Sequence, residues 1–122
     1  MFVLDTNTLI YFSRGETAAA DFILGGFKRG EKFLISIITL VEFLSYPTIT
    51  QTEQSCFSNM LTGLDVRVVD FPLAMRAVAF RKMYRLKLGD SIVAAVAFAN
   101  GATLVSRDKD FKKIKEIEIL SL

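Results

Sequence analysis

The chain has 122 residues, 52% hydrophobic and 23% charged, with 15 Lys and Arg against 13 Asp and Glu for a formal charge of +2. Such a chain suits one domain, residues 1–122, around one core; it is too apolar for disorder and too weakly basic to argue a nucleic-acid partner by charge alone. It has no histidine and one cysteine, Cys56, which excludes His-based triads, histidine or thiolate zinc sites and an internal disulfide.

In chain order, Phe2–Leu4 is a short apolar run that predicts a buried strand, ending on Asp5. Asn7–Ser13 starts a helix, and Glu16–Arg29 predicts another with Gly30 as its stop. Lys32–Ser36 is β-rich, and Thr39–Tyr46 predicts a helix halted before Pro47. Thr52–Leu61 predicts a helix followed by Gly63, and Asp65–Asp70, with three valines, a strand. Pro72 suits a first helical turn, and the pattern runs on towards Leu86. Asp90–Asn100 predicts a helix of small and apolar residues ended by Gly101. Thr103–Val105 and Glu118–Leu120 read as strands. The longest apolar region, Phe33–Leu44, is interrupted by Glu42 and falls short of the roughly 20 residues a membrane span needs. No signal peptide is seen at the N-terminus. The expectation is a soluble, cytoplasmic protein.

Alternating strands and helices predict an α/β domain with a mostly parallel sheet, whose ligand site lies at the carboxyl ends of the strands. Four acids fall there. Asp5 follows the first strand and Asp108 the strand Thr103–Val105, while Glu42 and Asp90 fall in the first turns of helices. Each has a bland reading. Asp5 and Asp90 can be helix caps, Asp108 a turn residue, and Glu42 the far member of a capping box with Thr39. Asp110 can replace Asp108 or cap the next turn. Together the four would repel one another unless a cation neutralised them, and with no histidine a hard divalent ion held by oxygens is the natural one.

The stretches "VLDTNTLI", "SIITLVEFLSYP" and "KLGDSIVAAVAFANGATLVSRDKDF" together resemble the PIN-domain family, in particular the small VapC-type toxins of toxin–antitoxin pairs. The resemblance covers nearly the whole chain. It implies a doubly wound, three-layer α/β/α fold and a Mg²⁺- or Mn²⁺-dependent endoribonuclease. It also implies a cytoplasmic homodimer and a small antitoxin that reaches into the acidic groove. It carries over Asp5, Glu42 and Asp90 as catalytic metal-binding acids and Asp108 as the fourth, with Asp110 as substitute. Thr6 and Asn7 match the small polar positions beside the first acid, and Ser106 stands where the family often has Thr.

RNA needs positive charge beside such acids. Arg81, Lys82, Arg85 and Lys87 precede Asp90, and Arg107, Lys109, Lys112 and Lys113 surround Asp108, so phosphates could be held on either side of the cut; Arg107, Lys109, Arg85 and Lys87 are the candidates retained. Three readings compete. One is a phosphoacceptor signalling domain, which lacks its lysine here. The others are a PIN scaffold that binds RNA or protein without cutting, and a processing nuclease that is not a toxin.

Overall fold

The computed structural model describes all of residues 1–122. Five strands form one sheet: β1 (Phe2–Leu4), β2 (Phe33–Ser36), β3 (Leu64–Arg67), β4 (Thr103–Val105) and β5 (Ile119–Leu120). Six helices connect the first four: α1 (Thr6–Ser13), α2 (Thr17–Lys28), α3 (Ile37–Leu44), α4 (Gln51–Leu61), α5 (Phe71–Tyr84) and α6 (Leu88–Asn100). A 3-10 helix, Lys109–Lys113, lies between β4 and β5. The strand order is β3-β2-β1-β4-β5 and every pairing is parallel, so the sheet is wholly parallel where the sequence predicts a mostly parallel one.

Side-chain alternation along the strands builds the three layers. Val3, Leu34 and Leu104 point to one face and pack with Phe80, Phe111 and the run Ile92–Ala97 of α6. Leu4, Phe33, Ile35 and Val105 point to the other, against Leu9, Ile23, Phe43 and Phe57 of α1 to α4. Ala94, Ala95 and Ala97 of α6 are fully buried, and their small size lets that helix sit close to both the sheet and α5. The central strands carry continuous apolar sequence because helices cover both faces; the edge strands β3 and β5 are only half-buried. No helix is long and apolar enough to cross a membrane.

Three sequence expectations are corrected. Helix α3 begins at Ile37, because the Ser36 hydroxyl accepts from the Ile38 and Thr39 amides at 2.9 and 3.4 Å. The Thr39–Glu42 capping box therefore does not form; Thr39 lies inside the helix, fully buried, and Glu42 is released. The strand predicted over Asp65–Asp70 stops at Arg67, and Asp70 instead caps α5, accepting from the Leu73 amide at 3.0 Å. Helix α6 starts at Leu88 with Lys87 at the cap position, so Asp90 lies in its first turn rather than capping it. A capping carboxylate would spend one oxygen on a backbone N–H, and Asp90 has no such engagement.

Candidate active site at the sheet switch point

The strand order reverses between β1 and β4, the place where a doubly wound sheet opens a crevice beyond its carboxyl ends. Asp5 leaves β1 directly into that crevice and Asp108 follows β4 by three residues. A groove of about 440 Å³ lies here, lined by Asp5, Thr6, Asn7, Glu42, Lys87, Asp90 and Asp108, with Ile10, Val93, Ser45, Tyr46 and Pro47 completing its walls. All four acids read from the sequence thus share one cavity, with the small polar pair Thr6 and Asn7 beside them.

The first turn of α1 organises one wall. Asp5 is nearly buried, and its Oδ1 accepts the Thr8 amide at 2.8 Å, so the helix-cap role is real and leaves Oδ2 without a protein donor. The Thr6 hydroxyl donates to Glu42 Oε1 at 2.9 Å, tying α1 to α3. The Thr8 hydroxyl donates to the Val105 carbonyl at 3.1 Å, tying α1 to the end of β4. Glycine at position 89 makes room for Glu42: a Cβ there would stand 3.0 Å from Oε2. Sequence reasoning missed Thr8 and Gly89. The D-x-x-T spacing signals the Thr8 amide bond, but nothing local to residue 89 announces a carboxylate arriving from α3.

The other wall is built by α6 and the 3-10 helix. Ser106 is buried and its Oγ accepts the Asp108 amide at 3.0 Å, while Asp108 Oδ1 accepts the Asp110 amide at 2.9 Å. Carboxylate oxygens of Asp90, Asp108 and Asp110 come within 4.8 Å of one another. Asp110 lies beside Asp108, and of the two Asp108 lines the groove. Burial and the Asp108 charge push the Asp90 carboxyl up to about 6; Lys87 opposes that rise, and the charges of Asp5 and Glu42 add to it. An all-oxygen donor set with unrelieved mutual repulsion fits a hard divalent cation such as Mg²⁺ or Mn²⁺.

The predicted phosphate-binding cations separate. Lys87 lines the groove, and Arg85 and Lys109 are exposed near its rim residues in sequence. Arg107 is placed elsewhere. Its guanidinium forms a two-pronged ion pair with Glu16, which holds the Glu16 carboxyl below its usual range. It also donates from Nε to the Leu122 carbonyl at 3.1 Å and covers the Tyr11 ring at 4.3 Å. Arg107 is thus spoken for by Tyr11, Glu16 and the C-terminal Leu122.

The family model of the PIN domain matches residues 2–117. A search of curated proteins finds no match. Among solved structures, a toxin–antitoxin complex from Klebsiella pneumoniae is similar at 28% identity and a TM-score of 0.81, covering 98% of this chain and 96% of that one. VapBC2 from Rickettsia felis, bound to a promoter DNA fragment, has 21% identity and a TM-score of 0.83, with 99% and 98% covered. DNA-bound VapBC from Salmonella typhimurium has 23% identity and a TM-score of 0.79, with 98% and 96% covered. At these lower identities the likeness is one of fold.

Proposed function

The chain belongs to the PIN domain family, and on that premise we propose that it is a divalent-metal-dependent endoribonuclease, the toxin of a toxin–antitoxin pair. The observation that carries the reading is the convergence of Asp5, Glu42, Asp90 and Asp108 on one groove, with the Asp90 carboxyl raised by burial and its acidic neighbours.

Asp5, Asp90 and Asp108 would hold Mg²⁺ or Mn²⁺, with Asp110 as an additional oxygen donor on the Asp108 side. When bound, such an ion lowers the pKa of a water and takes up charge on a phosphoryl oxygen. Thr6 keeps Glu42 turned into the groove, where its free oxygen accepts a proton from, or orients, the attacking water. Ser106 fixes the backbone that carries Asp108. Lys87, the cation in the groove wall, faces the RNA phosphate, and Asn7 offers an amide to it. With no histidine in the chain, water supplies the proton to the leaving oxygen.

Two surfaces support partners. Helix α5 exposes Phe71, Met75 and Val78 at helical spacing, with Phe71 77% exposed, an apolar stripe suited to a homodimer. A second groove of about 420 Å³ between α2 and α4, lined by Phe12, Leu24, Phe27 and Met60, suits an apolar segment of an antitoxin. Cytoplasmic residence goes with this reading.

Calorimetry with Mn²⁺ and RNA cleavage on the same samples test the proposal. Binding and cleavage in the wild type, both lost in Asp5→Asn, support it. Binding without cleavage of any RNA would favour a non-catalytic scaffold. No binding at millimolar Mn²⁺ would leave Asp5 a helix cap and end the metal mechanism.

A further inference from the structure

We propose that the α5–α6 corner and the segment after Asp108 form one basic band that carries the phosphates of a single RNA strand out of the acidic groove, on the Asp90–Asp108 side only. The proposal rests on the nuclease reading above and adds a direction to it: both cationic runs flank the same side of the cut, not opposite sides.

The first support is how the charges sort. Several cations away from the groove are engaged, although Lys28, Arg29 and Lys82 are also exposed and outside any salt bridge. Arg14 pairs with Glu53 at 3.9 Å, Lys32 and Arg67 both pair with Asp65, Arg107 pairs with Glu16, and Arg76 lies over the Phe98 ring at 4.1 Å. Arg85, Lys87, Lys109, Lys112, Lys113 and Lys115 are exposed and none takes part in a salt bridge.

The second support is juxtaposition. The Tyr84 hydroxyl at the end of α5 donates to the Glu116 carboxylate, at 2.7 to 2.8 Å, and accepts the Lys115 amide at 3.4 Å. Leu86, Phe111 and Ile114 are buried in one core cluster. Two lysine- and arginine-bearing stretches separated by more than 20 residues of chain are thereby clamped side by side. The band begins inside the groove at Lys87 and continues from Asp108 through Lys109. Lys87 is the only cation lining the groove; on the facing wall of Ser45, Tyr46 and Pro47 the nearest is Arg14, 5.8 Å from the Tyr46 ring and paired with Glu53. Two acids lie in or beside the band: Asp110, which groups with the site carboxylates, and Glu116, which Tyr84 holds.

The third support is local strain. Arg85 holds a left-handed conformation, φ 54°, at the end of α5, where glycine would be favoured. Arg85 ends α5 in this conformation and stands two residues before the groove-lining Lys87. A strand whose scissile phosphate lies among carboxylates must bring its neighbouring phosphates past them, and this row of unpaired cations offsets that repulsion.

The test compares Asp5→Asn, used to prevent cleavage, with the same chain also carrying Arg85→Gln, Lys112→Gln, Lys113→Gln and Lys115→Gln. Binding of a fluorescein-labelled single-stranded RNA of about 20 nucleotides is followed by anisotropy over a KCl series. The band predicts at least about a tenfold loss of affinity at low salt, and a slope of log K against log salt shallower by on the order of 2 to 3, since each single-strand phosphate contact is worth about 0.7. In the otherwise wild-type chain the same four changes raise KM for RNA and leave kcat and Mn²⁺ binding as they were. Lys28→Gln with Arg29→Gln, exposed cations outside the band, leaves affinity and slope unchanged. Arg85→Gly keeps or raises the thermal midpoint while weakening RNA binding; a lowered midpoint with full affinity would make Arg85 structural and remove it from the band. If wild type cleaves RNA but the four-fold variant binds like its parent, or the Lys28 and Arg29 control weakens binding equally, the band falls and the nuclease stands. If wild type holds Mn²⁺ yet neither binds nor cleaves RNA, the nuclease reading falls and takes the band with it.

Discussion

On the wall built by β1, α1 and α3, Asp5 and Glu42 each accept a hydrogen bond from the first turn of α1, whereas on the wall built by α6 and the 3-10 helix Asp90, Asp108 and Asp110 crowd within 4.8 Å of one another. The first wall is satisfied by folding itself. A backbone amide meets Asp5 and a threonine hydroxyl meets Glu42, and the second of these bonds ties α1 to α3. On the second wall Asp108 also accepts a backbone amide, from Asp110, but Lys87 offsets only part of the repulsion at Asp90. Asp90 has no protein donor, and burial plus its acidic neighbours raise its carboxyl to about 6. The contrast separates two tasks: the first wall is scaffold that also points into the groove, and the crowded wall is the part that a cation would complete on the proposed reading.

Substitution at the crowded wall has the largest expected effect. Asp90→Asn should reduce RNA cleavage by about 100-fold or more, close to 3 kcal/mol of transition-state stabilisation, and should weaken Mn²⁺ binding in calorimetry. Retained cleavage would show that the crowding serves no catalytic end. At the satisfied wall the expected damage is to folding. Thr8→Val removes a buried hydroxyl that ties α1 to the Val105 carbonyl, and urea unfolding should lose about 1–3 kcal/mol, largely restored in Thr8→Ser. If Thr8→Val unfolds like wild type, the tie between α1 and β4 is not what holds that wall.

A pH series sharpens the comparison. Burial, then the Asp108 charge, push the Asp90 carboxyl of the folded chain up from 3.8 to about 6, so between those values the folded state binds more protons. Its contribution to stability is full below about pH 4 and is lost as pH rises through about 6. The metal-free protein should therefore be less stable at pH 7.5 than at pH 5, by on the order of 1 kcal/mol once the side chain's partial exposure is allowed for. Asp90→Asn should flatten that dependence, and saturating Mn²⁺ should mask it. Glu16 and Asp65, both lowered by cationic partners, run the opposite way: their stabilisation is present at neutral pH and lost as pH falls through their own depressed values, below this window. A stability that instead rose from pH 5 to 7.5 would contradict the crowding of Asp90.

The smallest effect is at Gly89. Alanine gains about 1 kcal/mol of helix propensity, but its Cβ meets Glu42 Oε2 at 3.0 Å. The expected result is unchanged or slightly higher thermal stability with cleavage lower by a few-fold, because the Glu42 carboxylate shifts by tenths of an ångström. Thermal scans and steady-state cleavage read both.

Much of the molecule is visible in local sequence. The run Phe2–Leu4 ending on Asp5, the Ala-rich stretch after Asp90 and the strand before Asp108 are recognisable because burial on both faces demands continuous apolar residues, and because helix stops need Gly or Pro. The alternation of strands and helices settles the fold class, and the position of each acid relative to its element places all four at one sheet edge. Element ends were less legible. Ser36 and Thr39 can each cap a helix, and only the path of the chain out of β2 makes Ser36 the cap.

Tertiary structure decided what depends on partners far apart in sequence. The order β3-β2-β1-β4-β5 sets β4 beside β1, which brings Asp108 to the crevice that Asp5 opens. Glu42 faces the groove because Thr6, 36 residues earlier, holds it there, and Arg107 turns away because Glu16, 91 residues earlier, claims it. Tyr84 sets two basic stretches next to each other from 32 residues before Glu116. Periodicity and capping are properties of a few consecutive residues and can be read from them. Which carboxylate meets which cation or hydroxyl is settled only when loops close and the layers pack, so the acids belong to the sequence and their division into a satisfied wall and a crowded one belongs to the fold.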